Sequence, residues 1–351
     1  MNVGILTFHW ANNYGAQLQA YALCEAIRGL GHQVSVVDYV PPDHSLRWWQ
    51  GWGIHCGTPS LTLKRLRFDS FRRRFIPLTR RCRTLHELRR ITAEFDALIT
   101  GSDQVWNGNI VKATDVPYFL GFVDGQHCRR ISYAACFGDS NQPPQIISVA
   151  GPLLRSFDDI SVRDEMSAAL VQQLSGRDAE IVVDPSLLHD YRELIGKDID
   201  GPDYIAVYFI SQDHLNLGRD LIREVRSRLP LPVVTLSQDR GMLDCGRTLL
   251  SAGPVEWLSV LRQASFICTD SFHGAAMAIK LRKPFMAWCG LRPERLRSLL
   301  SRCGIQNRLI DVVDPATLDE LLSTNVDYEA VFGLLSPLIN QSRAFLKRAL
   351  A

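Results

Sequence analysis

The chain has 351 residues, 46% of them hydrophobic and 22% charged, with a formal net charge of +2, the profile of an ordinary globular protein of about two domains. That charge gives no global pull toward nucleic acid, and no apolar run approaches the roughly 20 residues needed to span a bilayer. Nine cysteines without a CxxC pair argue against a disulfide framework and for reduced thiols in a cytoplasmic protein.

The first strand is expected over Val3–Phe8, because the N-terminus has neither a basic region nor a cleavage site of the signal-peptide kind. It opens into a polar turn, Asn12-Asn13-Tyr14-Gly15, at the mouth of a helix predicted over Tyr14–Leu30, where apolar residues recur at a spacing of 3–4 before Gly31. Such a turn either binds a hydroxylated or anionic ligand on the helix N-terminus or simply caps the helix. A second strand is expected over Gln33–Val40. The segment 47–83 follows, with Trp48, Trp49 and Trp52 ahead of nine Lys/Arg residues between Lys64 and Arg83 and one acid, Asp69. It suits either an interfacial element on anionic lipid or a solvated insertion with buried tryptophans.

The strand Ala97–Thr100 opens into Gly101-Ser102-Asp103-Gln104-Val105-Trp106-Asn107. Asp103, Gln104 and Asn107 can bond sugar hydroxyls, and Trp106 offers an apolar face to a pyranose ring. The alternative is a turn with a core tryptophan. Strands are expected next over Arg130–Ala134, Asp159–Val162 and Ile181–Val183. Arg163, directly after the strand Asp159–Val162, can grip a carboxylate or phosphate bidentately, or else pair with Asp164 or Glu165. The polar, breaker-rich stretch Gly196–Asp203 marks a hinge.

Beyond it, strands are expected over Tyr204–Ile210, Val233–Leu236, Phe266–Cys268 and Pro284–Trp288. The third ends in Thr269-Asp270-Ser271-Phe272-His273-Gly274, a strand, a polar turn and a helix start. With Asp270 or Ser271 as N-cap, His273 and Gly274 fall in the first helical turn, where backbone N–H groups and the helix dipole favour an anion. His273 is the strongest proton-transfer candidate, Asp270 its orienting partner. Lys283, Arg292 and Arg295 add positive charge downstream. Tyr328–Leu350 is predicted as a long C-terminal helix.

Alternating strands and helices mean βα units and mainly parallel sheets. The expected fold class is α/β, with two Rossmann-like domains facing a cleft. The N-terminal domain covers 1–196 with the insertion 47–83, the C-terminal domain 203–327, and the helix 328–351 packs back on the first. There is no GxxxxGK[ST], no GxGxxG after the first strand, no HExxH and no GxSxG. These absences set aside P-loop, ordinary dinucleotide, zinc-protease and serine-hydrolase chemistry.

Together the motifs resemble the polysaccharide pyruvyl transferase family. The matching pieces are Asn12-Asn13-Tyr14-Gly15-Ala16 with Leu18–Leu23, Gly101–Asn107, Ser132–Gly138, Ser161-Val162-Arg163-Asp164, Val183–Leu188, Pro254–Leu258, and Thr269–Gly274 with Lys283-Pro284-Phe285. The resemblance implies a fold similar to B-type glycosyltransferases. It also implies transfer of an enolpyruvyl-derived group from phosphoenolpyruvate (PEP) to a sugar diol of a surface polysaccharide (exopolysaccharide or capsule), giving a cyclic ketal. By resemblance Arg163 and His273 belong to the donor site, with Ser271, Gly274, Lys283, Arg292 and Arg295 around them. The acceptor side would use Asn12, Asn13, Tyr14, Gly15, Asp103, Gln104, Trp106 and Asn107. Some family members carry an arginine where this chain has Ser271, so Lys283, Arg292, Arg295 or the helix N-terminus must supply that charge. No cofactor and no metal ligand set is expected, although carboxylates could recruit Mg²⁺ to a phosphate. Expected partners are PEP and a sugar acceptor, free or lipid-linked, with peripheral contact at the inner membrane face through 47–83. The competing readings are a nucleotide-sugar glycosyltransferase of the same fold and a non-catalytic glycan-binding protein.

Overall fold

The computed structural model describes every residue except 42–58, 112–115, 126, 196–202, 211, 237–245, 289–293 and 313, with backbone alone at 116 and 212–217. The described residues divide into two compact units. Unit 1 comprises Met1–Gly51, Ser70–His189 and Pro337–Ala351; unit 2 comprises Trp52–Asp69 and Asp190–Ser336. Most of the expected hinge lies outside the described residues, as do Trp48, Trp49 and Trp52.

Unit 1 is built on β1 (Asn2–Leu6), β2 (Gln33–Val36), β3 (Ala97–Thr100), β4 (Arg129–Ala135), β5 (Asp159–Val162) and β6 (Glu180–Ile181). They form one parallel sheet in the order β2-β1-β3-β4-β5-β6, with Leu6 opposite Thr100 and Thr100 opposite Ser132. Residues of β3 are all buried, as expected for a strand covered on both faces. Helix α1 (Tyr14–Arg28) starts where the sequence places it. Strand β2 stops four residues earlier than expected. Beyond Val36 the chain bonds instead to a strap at the sheet edge, where Leu78 bridges Val36 and Cys82 bridges Tyr39 in parallel register.

That strap follows helix α2 (Pro59–Phe75) and leads to α3 (Leu85–Thr92), whose Thr84 and Glu87 form a capping box. The division between units falls within α2, so part of the expected N-terminal insertion belongs to unit 2. Helices α4 (Pro144–Arg155) and α5 (Glu165–Ser175) complete the βα pattern of unit 1.

Unit 2 contains β7 (Ile205–Tyr208), α6 (Gln212–Arg228), β8 (Val233–Thr235), β9 (Arg247–Thr248), α7 (Pro254–Gln263), β10 (Phe266–Thr269), α8 (Phe272–Lys280), β11 (Phe285–Trp288), α9 (Glu294–Arg302), β12 (Leu309–Ile310) and α10 (Pro315–Ser323). Its parallel sheet runs β12-β11-β10-β7-β8-β9. The edge strands β9 and β12 have two residues each, too short for a periodic signal. Helix α11 (Tyr328–Ala349) has Pro337 inside it, the residue at which it passes from unit 2 to unit 1. Within unit 1 its Ser342 Oγ accepts the Val183 amide at 2.9 Å, and Phe345 packs on Tyr133.

Each sheet reverses its strand order once, at β1/β3 in unit 1 and at β7/β10 in unit 2. In doubly wound sheets ligands bind beyond the carboxyl ends of the strands at such reversals, where successive connections leave on opposite faces. Among the described residues no helix is long and apolar enough to cross a membrane.

Candidate functional site

At the reversal in unit 2, hydrogen bonds tie the two strand ends together. Thr269 Oγ1 donates to the Tyr208 carbonyl at 2.7 Å and accepts the Ser271 amide at 3.1 Å. Asp270 Oδ1 accepts the Ile210 amide at 2.7 Å. The aspartate expected to orient His273 therefore spends that oxygen on holding the β7 end against the β10 end. Ser271 is the N-cap of α8, in extended conformation, and its side chain makes no capping bond. Asn13, Asp164 and Asp314 do cap their helices with side-chain oxygens.

His273 is the second residue of α8 and 7% exposed, its ring edge-on to Phe272 at 5.3 Å between centroids. It sits in the turn where the helix dipole presents its positive end. Gly274 lets that turn press on the strand: a Cβ there would lie 2.2 Å from Thr269 Oγ1. Its role is close helix–strand packing, which places His273 at the strand end.

The expected donor cations are only partly brought to this turn. Lys283 is not among them. It immediately precedes β11, after α8 has carried the chain back to the amino ends of the parallel strands, so it lies at the opposite edge from His273. Its amine is held below the usual lysine range by burial and by Arg262, with Asp203 opposing. Arg295 stands in the first turn of α9, the helix that leaves the carboxyl end of β11, and so shares the edge with His273. Arg292 lies outside the described residues.

At the reversal in unit 1, Arg163 is buried rather than open to a ligand. Its Nη1 donates to Asp184 Oδ2 at 2.8 Å, and its Nη2 reaches Asp103 Oδ1 at 3.5 Å and Cys136 Sγ at 3.0 Å. The pairing with Asp164 or Glu165 weighed from sequence gives way to these partners, since Asp164 caps α5 through the Ser167 amide. Burial opposes the guanidinium charge, but Cys136, Asp184, Asp103 and Asp164 outweigh it and raise the Arg163 pKa. Asp184 Oδ2 also accepts Ser102 Oγ at 2.7 Å, and its Oδ1 the Ser186 amide at 2.9 Å. Ser102 Oγ in turn accepts the Asp103 amide at 2.6 Å. Asp103 has a left-handed backbone, φ 79°.

Trp106 corrects the expectation of a sugar platform. It is 0% exposed, stacks on Phe119 at 5.6 Å and 8°, and donates its indole N–H to the Tyr118 carbonyl at 3.0 Å. Asn107 is buried too. Its Nδ2 donates to Gln104 Oε1 at 2.8 Å, and both amides lie against Gly138, whose φ of +83° and missing Cβ admit them. These two amides hold the loop. Asn13 caps α1 by accepting the Ala16 amide, and Tyr14 and Gly15 are buried behind it. Asn12 is half-buried, its Oδ1 accepting both terminal nitrogens of Arg72 at 3.2 Å. Of the acceptor set, Asn12, Asn13, Asp103 and Gln104 keep partial exposure.

Three polar residues at these strand ends were not singled out from sequence. His9 is buried after β1, with Nδ1 to the Thr7 carbonyl and Nε2 to Asp38 Oδ1, both at 3.1 Å. Burial would raise the Asp38 carboxyl, but His9 and Arg81 outweigh it and hold it low. Asp184 is the third. Its place after a short edge strand, before Pro185, was the available signal.

Residues 13–288 match the family model described as Polysaccharide pyruvyl transferase. No curated protein matches the chain. Among solved structures, UDP-GlcNAc 2-epimerase from Methanocaldococcus jannaschii aligns at a TM-score of 0.51 and 11% identity, covering 93% of each chain. The S. aureus MnaA–UDP co-structure aligns at 0.51 and 11% identity, covering 95% of this chain and 90% of that one. At such identity the likeness is one of fold. The paired parallel sheets are of the B-type glycosyltransferase kind that the motifs imply.

Proposed function

The chain belongs to the polysaccharide pyruvyl transferase family, and from that premise we propose that it transfers the enolpyruvyl-derived group of PEP to a sugar diol and releases phosphate. The observation that supports this most is His273 in the first turn of α8, at the strand reversal of unit 2, on a helix whose N-cap side chain makes no capping bond. A small polyanion needs donors and positive potential, which this turn offers.

In the proposed reaction His273 gives a proton to the CH₂ carbon of PEP while a sugar hydroxyl adds to C2. That hydroxyl's proton passes to a general base, which later gives it to the departing phosphate. Phosphate then leaves C2 with its bonding pair, a second hydroxyl adds there and gives its proton to His273, restoring its acid form, and the ring closes. The products are a carboxylate-bearing ketal and inorganic phosphate. The helix turn and Arg295 offset donor charge, and no cofactor enters.

The test is phosphate release from PEP by the purified chain with galactosides and mannosides, free and lipid-linked. Consumption of a nucleotide sugar instead, or glycan binding with no phosphate released, refutes the proposal. We further propose peripheral contact with an anionic membrane face. Support comes from α2, which exposes Leu63 and Leu66 beside Arg65, and from the exposed arginines 73, 74 and 83.

A further inference from the structure

We infer that Arg163 is a positioning residue that, with Asp184 and Ser102, fixes Asp103 as the group that meets the sugar hydroxyl; this rests on the pyruvyl-transfer reading. The four residues form a closed ring. Arg163 Nη1 bonds Asp184 at 2.8 Å, Ser102 Oγ bonds the same Asp184 oxygen at 2.7 Å, and the Asp103 amide bonds Ser102 Oγ at 2.6 Å. Arg163 Nη2 closes the ring at Asp103 Oδ1, 3.5 Å away. Asp103 is thus held at its backbone and at its carboxylate by one buried pair.

Exposure orders the ring. The Asp184 side chain is 0% exposed, that of Arg163 3%, and that of Asp103 14%. Of the ring's ionised side chains, that of Asp103 is the one with appreciable exposure. Neighbouring bonds grip the same loop: Thr7 Oγ1 donates to the Ser102 carbonyl at 3.1 Å, and the Cys136 amide to the Asp103 carbonyl at 3.0 Å. Residues from the ends of β1, β3, β4, β5 and β6 therefore converge on the loop that carries this carboxylate. A guanidinium so engaged has its forked face turned to protein carboxylates, which leaves it poorly placed to receive the donor's carboxylate.

The experiment compares Asp103→Asn, Arg163→Lys and Ser102→Ala with wild type in the PEP assay, with KM for each substrate and melting temperature recorded. Asp103→Asn is expected to lower kcat about 100-fold or more, the low end for a general base. Arg163→Lys and Ser102→Ala should lower kcat by up to about 100-fold, the scale of a misplaced group, while KM for PEP stays within about twofold of wild type. A merely structural role would move the melting temperature and spare kcat of the folded fraction. A rise of about tenfold or more in KM for PEP in Arg163→Lys with kcat preserved overturns the inference, as does wild-type turnover by Asp103→Asn. If wild type releases no phosphate, the parent reading falls, and the ring is judged on methyl galactoside and methyl mannoside binding alone. Asp103→Asn must then weaken that binding at least about tenfold; equal binding by both proteins, or none by either, overturns it.

Discussion

Lys64 offers a prediction whose size follows from its surroundings. It lies on α2, buried, with its amine 6.0 Å from the Phe68 ring centroid, and burial pushes its pKa down to about 7 from 10.5. The unfolded chain therefore binds a proton that the folded chain gives up between those values. Stability must rise with pH across the window from about 7 to about 10.5, since the state that binds more protons is the unfolded one. The full shift corresponds to about 5 kcal/mol, and the part recovered between pH 7 and pH 9 to about 2 kcal/mol. Lys64→Met keeps most of the side chain's length and removes the titration. The variant is expected to unfold later than wild type at pH 7, by up to about 4 kcal/mol, with the advantage shrinking by about 2 kcal/mol at pH 9. Urea unfolding of the full chain at both pH values measures this difference. An advantage of equal size at pH 7 and pH 9 refutes the reasoning, because it would mean that Lys64 titrates in the folded chain as it does in water.

Four further outcomes are expected. His273→Ala should cut phosphate release by at least about 100-fold with the circular dichroism spectrum unchanged; near-normal turnover removes His273 from the proton-transfer role. Gly274→Ala places a Cβ 2.2 Å from Thr269 Oγ1 and should cost about 1–3 kcal/mol in thermal unfolding. Thr269→Ala added to it should recover part of the loss, and strict additivity argues against the clash. Trp106→Ala, opening a cavity against Phe119, Phe137 and Phe157, should cost about 3–5 kcal/mol; a loss of sugar affinity with stability intact would restore the platform reading. Sedimentation with phosphatidylglycerol vesicles should be strong at low salt, weak at high salt and lost in Leu63→Ser/Leu66→Ser, and absence of binding at low salt rules out the membrane proposal.

The sheets were legible because parallel strands buried on both faces leave short, largely apolar runs, such as Ala97–Thr100, whose bounds match the observed strand. The strand-end turns were legible for the same reason: a polar cluster directly after such a run falls at the carboxyl edge. What the turns do was harder to read. Trp106 and Asn13 look alike in sequence, as members of polar turns that follow a strand, yet one is core and one is a cap. Burial decides between those roles, and it depends on Tyr118 and Phe119, which approach only after the chain folds. Lys283 misled because it is close to His273 in sequence, whereas α8 separates them along the whole strand direction. Arg163 misled because its partner Asp184 is 21 residues away, just beyond the next strand.

Charge separates the two reversals. In unit 1 the Arg163 guanidinium is matched by Asp184 and Asp103, with Asp164 adjoining, so that edge is net negative and disfavours a phosphorylated carboxylate. In unit 2, Asp270 gives one oxygen to the Ile210 amide, and α8 and α9 both begin at the carboxyl edge with His273 and Arg295 in their first turns. The N-terminus of each of these helices carries partial positive charge, with Asp270 just before the cap of α8 and Glu294 in the first turn of α9 as the neighbouring acids. On the proposed reading, a donor anion is assigned to unit 2, and a neutral polyol that must surrender a proton to unit 1. This division needs no arginine at position 271. It predicts that Ser271→Arg tightens PEP binding, measured by calorimetry at low and high salt, whereas Asp103→Arg weakens sugar use without improving the PEP affinity; a PEP affinity raised by Asp103→Arg and untouched by Ser271→Arg would invert the assignment.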